Sequence, residues 1–201
     1  MLRPLFAGML ALPGVARVNL VPQANLMTTN ADEKLSFIFG RRSIRAYTPQ
    51  AVSDEAVRKL LEAAMAAPSA AATDPWRFVV VKNREMLSRI ADALPYGKMV
   101  GSAALGIVVG GDLEAAHDKH LSYLLQDCSA AIENLLLCAH VLGLGACWLG
   151  VHPREQRVKS LQAILGLQEK VIPVACIAIG YPAETKEPRT RFNPNYVRFE
   201  K

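Results

Sequence analysis

The chain is poor in the residues on which several reaction classes depend. Its four cysteines, Cys128, Cys138, Cys147 and Cys176, lie in apolar runs with no Cys-x-x-Cys pair and no histidine at metal-ligand spacing. That argues against a zinc site or a disulfide framework and reads as buried, reduced thiols. The four histidines (His117, His120, His140 and His152) are scattered, and no Ser/His/Asp arrangement stands out, so hydrolase and metal chemistry have little support. A Gly-rich dinucleotide fingerprint or phosphate loop is missing: Gly101 follows no suitable strand, and Gly143-Leu144-Gly145-Ala146 ends a helical run rather than opening one. No uninterrupted apolar run of about 18 residues occurs, which argues against a transmembrane helix. Chemistry without protein acids, bases or metals points to a cofactor that carries the reaction itself, and any phosphate on it must be held by side chains.

What is present suits one globular domain. The 201 residues are 51% hydrophobic and 20% charged, enough to bury a sizeable core. A net charge of +5 suits an anionic ligand or a nucleic acid, and the distribution separates the two. Outside Arg41–Arg45 and the group Arg189, Arg191 and Arg198, basic residues are spread among acidic ones, with no basic stripe interleaved with aromatics. Nucleic acid and membrane are therefore not expected partners. The N-terminus, Met1-Leu2-Arg3 followed by an apolar stretch to Ala16, loosely resembles a secretory leader, but one broken by Pro4, Gly8 and Pro13. The expectation is an N-terminal extension or arm over residues 1–30 of a cytoplasmic protein, followed by one domain over 31–201.

Periodicity lays out that domain. Asn30 and Glu33 have capping-box spacing and Gly40 is a stop, which predicts a helix over 31–39. Ser53 caps a second over 54–67, ended by Pro68, so 68–76 is a loop. Strands are expected at 77–81, at 103–109 (ended by Gly110-Gly111), at 146–151 and at 171–180. Helices are expected from the Asn83 cap to about 94, over 120–142, and from Pro153 to 165. The helix over 120–142 is too apolar for a monomer surface, and the Pro-rich tail from Tyr181 reads as an extended arm. Helices and strands alternate, so the expected fold is a mixed sheet covered by helices on both faces.

Two segments carry the functional reading. Arg41-Arg42-Ser43-Ile44-Arg45 gathers three guanidinium groups and a hydroxyl at a helix end, and the planar guanidinium fork matches phosphate oxygens bidentately. Ala67-Pro68-Ser69-Ala70-Ala71-Ala72-Thr73-Asp74-Pro75-Trp76 is a loop of small residues, through which backbone can approach a flat ring.

With these two blocks, Gly143-Leu144-Gly145-Ala146-Cys147-Trp148-Leu149-Gly150 and Arg189-Thr190-Arg191-Phe192 follow in an order that resembles the FMN-dependent nitroreductase family over residues 31–199. The resemblance implies an α+β fold, a homodimer with FMN at its interface, and ping-pong transfer from NADH or NADPH to nitroaromatics, quinones or similar small acceptors. It places Arg41, Arg42, Ser43 and Arg45 near the flavin phosphate and pyrimidine edge, with Arg189 and Arg191 completing the phosphate site. Pro68, Ser69 and Ala70 match the loop along the ring, contributed by the second subunit. Leu149 and Gly150 match the segment whose backbone amide donates to flavin N5, and Trp148 adjoins it. The family has asparagine where Ala72 stands and glutamine where Asp74 stands. That departure keeps open an alternative, a flavin-binding protein with altered chemistry or no turnover.

Overall fold

Four apolar runs become strands, and the two central ones are buried on both faces, which is why neither alternates between apolar and polar residues. The computed structural model describes residues 30–200; the expected arm over 1–30 lies outside these, save Asn30, which joins the first helix. The strands are β1 (Trp76–Val81), β2 (Leu105–Asp112), β3 (Gly145–Gly150) and β4 (Val171–Gly180), hydrogen-bonded in the order β1-β2-β4-β3. Every pair is antiparallel, and the parallel contribution to the sheet is one bridge between Ser43 and Ala146 on the outer side of β3. The helices are α1 (Asn30–Gly40), α2 (Asp54–Met65), α3 (Arg84–Ala93), α4 (Lys98–Ser102), α5 (Leu121–Val141) and α6 (Glu155–Leu165). The architecture is α+β, as expected.

Side-chain alternation along the central strands divides the core in two. Ile107, Val109, Ile177 and Ile179 face α2 and α5, meeting Leu60, Leu124, Ile132 and Leu135. Val108, Cys176 and Ala178 face the other way, onto Leu87, Ile90, Val100 and Leu161 of α3, α4 and α6. Leu60, Leu87, Leu124 and Leu135 have no solvent exposure, so truncating any one to alanine costs about 2–5 kcal/mol. The helix starts follow the caps: Ser53 accepts from the Ala56 amide at 3.2 Å, and Asn83 from the Met86 amide at 2.9 Å.

Three local expectations change. Gly110 and Gly111 do not end β2 but continue it past a bulge at Val109/Gly110. A Cβ would stand 2.7 Å from the Ile172 carbonyl oxygen at Gly110 and 2.5 Å from the Leu124 side chain at Gly111, so glycine serves close approach there. Pro153 does not open α6, which begins two residues later at Glu155. The apolar character of α5 is absorbed by the chain's own core, since Leu124, Cys128, Ala131, Ile132, Leu135, Leu136 and Ala139 are all buried. Exposed apolar side chains remain at the ends of α5, at Leu121, Tyr123 and Val141, and gather on α1, at Leu35, Phe37, Ile38 and Phe39, and on the C-terminal arm, at Phe192, Tyr196 and Phe199.

Candidate cofactor site at the β3 edge

The outer side of β3 is covered by the segment after α1. Ile44 donates its amide to the Ala146 carbonyl at 3.0 Å, and it packs so closely over Gly145 that a Cβ there would lie 2.7 Å from its side chain. Tyr47 anchors the same segment from beneath, its hydroxyl donating to the Ile44 carbonyl at 2.6 Å with the Ala178 carbonyl at 3.2 Å. Burial pushes the Tyr47 phenol far above its ordinary value, so it stays a neutral donor. The C-terminal arm locks the segment from outside. Glu184 accepts from the amides of Arg45 (2.5 Å) and Ala46 (3.3 Å), and Lys186 donates to the Ser43 carbonyl at 2.8 Å.

This packing sorts the predicted residues. Arg41 pairs with Glu133 of α5 at 3.2 Å, and the Arg42 guanidinium donates to the Glu187 carbonyl. The Arg189 amide donates to the Phe39 carbonyl at 3.4 Å, which lays the arm beside the end of α1; Arg191 is exposed two residues further on. The Arg45 side chain leaves the segment toward solvent, and among the described residues its hydrogen-bond partner is the Ser43 carbonyl at 3.5 Å. Arg41, Arg42, Ser43, Arg45 and the backbone of Arg189 thus share one region at the β3 edge.

The edge strand adds backbone donors. Because Ala146 bridges outward to Ser43, the alternation of a strand turns the amides of Trp148 and Gly150 outward as well, while that of Leu149 faces β4. The Gly150 carbonyl on the same side accepts from Arg157 of α6 at 2.9 Å. These groups open on a groove of about 590 Å3 lined by Arg45, Tyr96, Lys98, Trp148, Gly150 and Arg157. Nothing lies within 4 Å of where a Gly150 Cβ would stand. Cys147 also borders the groove, but burial raises its pKa and keeps it a thiol.

Pro68, Ser69, Ala70 and Ala72 are elsewhere. Their loop leads into β1, the opposite edge of the sheet, three strand spacings or about 14 Å from β3. Ser69 donates its hydroxyl to the Asp74 carboxylate at 2.5 Å and accepts the Asp74 amide at 3.1 Å, closing the loop on itself. Ala71, Ala72 and Asp74 all have positive φ, at 51°, 54° and 49°. The Ala70 amide donates at 2.9 Å to Asp127 of α5, a carboxyl only 5% exposed whose Oδ2 is buried without a partner among the described residues. A single chain therefore assembles the arginine and Trp148–Gly150 groups but not the loop.

Sequence reasoning missed Glu184, Asp127, Lys98 and Arg157. Asp127 left a signal: it lies three residues after Leu124 and four before Ala131, on the buried stripe of α5, where a carboxylate requires a partner. Glu184 and Arg157 act through contacts at the sheet edge that no local pattern encodes, and Lys98 reaches the groove from the start of α4. Among the described residues there is no cluster able to hold a metal ion, and no helix long and apolar enough to cross a membrane.

Against known proteins, the nitroreductase family model matches residues 38–95 and 94–181. A protein of Archaeoglobus fulgidus with the provisional name NADH dehydrogenase/NAD(P)H nitroreductase is 44% identical over 173 residues, covering 85% of this chain and 99% of its own length. The FMN-dependent nitroreductase of Clostridium difficile R20291 superposes with a TM-score of 0.76 at 31% identity, over 83% of this chain and 99% of that one. A provisionally named nitroreductase of Desulfovibrio desulfuricans, solved in complex with FMN, gives 0.73 at 36% identity over 83% and 96%.

Proposed function

We propose, for a chain that belongs to the nitroreductase family and is an NAD(P)H-dependent flavin oxidoreductase, that FMN binds along the β3 edge and that two chains complete the site. When bound, the cofactor supplies hydride acceptance from NADH or NADPH and onward delivery to a small acceptor such as a nitroaromatic or quinone, in two half-reactions. The observation that carries the reading is the two-edge geometry: the arginine cluster and open Gly150 amide at β3, the small-residue loop at β1.

The donor set fits FMN. Arg42, Arg45, Arg189 and Arg191 form no ion pair among the described residues, and with the Ser43 hydroxyl they offer guanidinium forks to a phosphate and to a pyrimidine edge. A cation near that edge stabilises the negative charge of a reduced ring, which raises its potential. Of Leu149 and Gly150, Gly150 has the amide on the open side and no side chain in the way, so it is the donor to N5. Trp148 flanks it. Pro68, Ser69 and Ala70 would approach the ring from the partner subunit, because in their own chain they lead into the opposite edge strand of the sheet. The exposed α1 and arm aromatics supply the apolar surface for a homodimer burying on the order of 2,000 Å2 or more.

The test is the absorbance spectrum of the purified protein, with light scattering on the same sample. A yellow dimer bleached by NADH or NADPH under anaerobic conditions is expected. A yellow protein that neither nucleotide reduces would favour the flavin-binding alternative, and a colourless monomer would remove the proposal.

A further inference from the structure

The groove beside Gly150 takes Arg45 alone from the arginine cluster and adds two further cations, Lys98 and Arg157, so its charge is unbalanced. Among the described residues no acidic side chain lines it. Lys98, at the start of α4, and Arg157, on α6, form no ion pair among the described residues, whereas Lys82, Lys119, Lys159 and Lys170 each hold a carboxylate within 3.1 Å. Arg157 commits one nitrogen to the Gly150 carbonyl, leaving the rest of its fork open. Two unneutralised cations beside Arg45 repel one another, so the groove attracts negative charge. The same outer end exposes two aromatic rings, Tyr96 at 81% and Trp148 at 37%, over an apolar floor of Leu94, Met99 and Leu149. Convergent cations over an apolar, aromatic-lined hollow suit a ring with a charged substituent.

We propose that the reactant admitted beside the cofactor is a planar aromatic molecule bearing an anionic group, its charge held by Lys98 and Arg157 and its ring packed against Tyr96 and Trp148. The inference rests on the proposed FMN site, which takes Arg45 for the flavin and leaves these two cations for the second reactant. The anion can be a carboxylate on the acceptor or the phosphates of the reductant.

The experiment uses the FMN-loaded protein and two non-reducible probes, benzoate and benzamide, titrated by the perturbation of the flavin spectrum. Benzoate is expected to bind about threefold to tenfold tighter, with the margin shrinking at high salt. Lys98→Gln should erase most of that margin and Lys98→Arg should keep it. Matched kinetics then identify the source of the charge. In Lys98→Gln, a fall in kcat/KM for 4-nitrobenzoate relative to 4-nitrobenzamide assigns it to the acceptor; an unchanged kcat/KM for both, accompanied by a lowered kcat/KM for NADH and NADPH, assigns it to the reductant. A yellow protein that binds both probes equally, or a margin unmoved by Lys98→Gln, overturns this proposal alone. Failure to take up FMN overturns the site it rests on, and the proposal with it.

Discussion

The Glu184 carboxylate joins the two ends of the domain through Arg45: it accepts the Arg45 amide at 2.5 Å and the Ala46 amide at 3.3 Å while pairing with Lys186 at 3.0 Å. Those amides leave the sheet after the Ser43–Ala146 bridge, and Glu184 satisfies them from the C-terminal arm. Its position fixes the backbone from which the Arg45 side chain enters the groove.

The Arg45 amide first, then Lys186, hold the Glu184 carboxyl below its ordinary value. A depressed folded-state pKa contributes stability that is present above the unfolded value, near 4.3, and is lost as pH falls through the folded value. The expected outcome is that Glu184→Gln lowers the melting temperature relative to the native chain at pH 7, and that the two curves converge below about pH 4. A gap of constant size down to acid pH would mean that the carboxylate charge is not what holds the arm.

Arg45→Ala should weaken FMN binding about tenfold or more, corresponding to roughly 1.4 kcal/mol or more, without loosening the fold. Among the described residues the guanidinium hydrogen-bonds the Ser43 carbonyl, at 3.5 Å, and the side chain is exposed, so its removal opens no core cavity. Flavin content after purification and the melting curve of the apo-protein check the two halves separately. Full flavin content in the variant would take Arg45 out of the cofactor site.

Most of the fold was legible because its strands are short apolar runs and two of its helices carry caps at Ser53 and Asn83. The five-residue α4 was not, since Lys98–Ser102 is shorter than two turns and shows no period. The arginine cluster could be read as a site from residue type and Trp148–Gly150 through the family resemblance, and the bridge at Ser43 brings Ser43 to the same strand edge. Their separation from Pro68–Ala72 could not, because it depends on the strand order β1-β2-β4-β3, which sequence does not specify. Likewise, the apolarity of α5 pointed to an interface when it belongs to the core, as burial and assembly leave the same pattern in a helix.

Asp127 should act on the loop before it acts on anything bound there. Asp127→Ala leaves the Ala70 amide without its acceptor, which costs about 1–3 kcal/mol and frees residues 69–74. Asp127→Asn keeps an acceptor for that amide and replaces the partnerless oxygen, so it should cost less. Denaturant unfolding ranks the variants, and hydrogen exchange at Ala70 locates the effect. Unaltered exchange at Ala70 in Asp127→Ala would show that the loop holds its shape without α5.

Ala72→Asn tests the loop and the flavin site together, with different readouts. Ala72 sits at φ 54°, in the left-handed region, which costs an alanine about 1–2 kcal/mol and which asparagine tolerates better. The neighbouring Asp74 turns its carboxylate onto Ser69, so the loop is already closed and need not rearrange to accept a new side chain. The apo-protein should gain about 0.5–1 kcal/mol in denaturant unfolding. If the loop also faces flavin across the dimer, the new amide adds a hydrogen bond of about 1 kcal/mol, roughly a fivefold fall in the FMN dissociation constant by fluorescence titration. A gain in stability with unchanged FMN affinity would place Ala72 in a strained turn that does not face the ring. A fivefold gain in affinity would tie the β1-edge loop of one subunit to the β3-edge groove of the other.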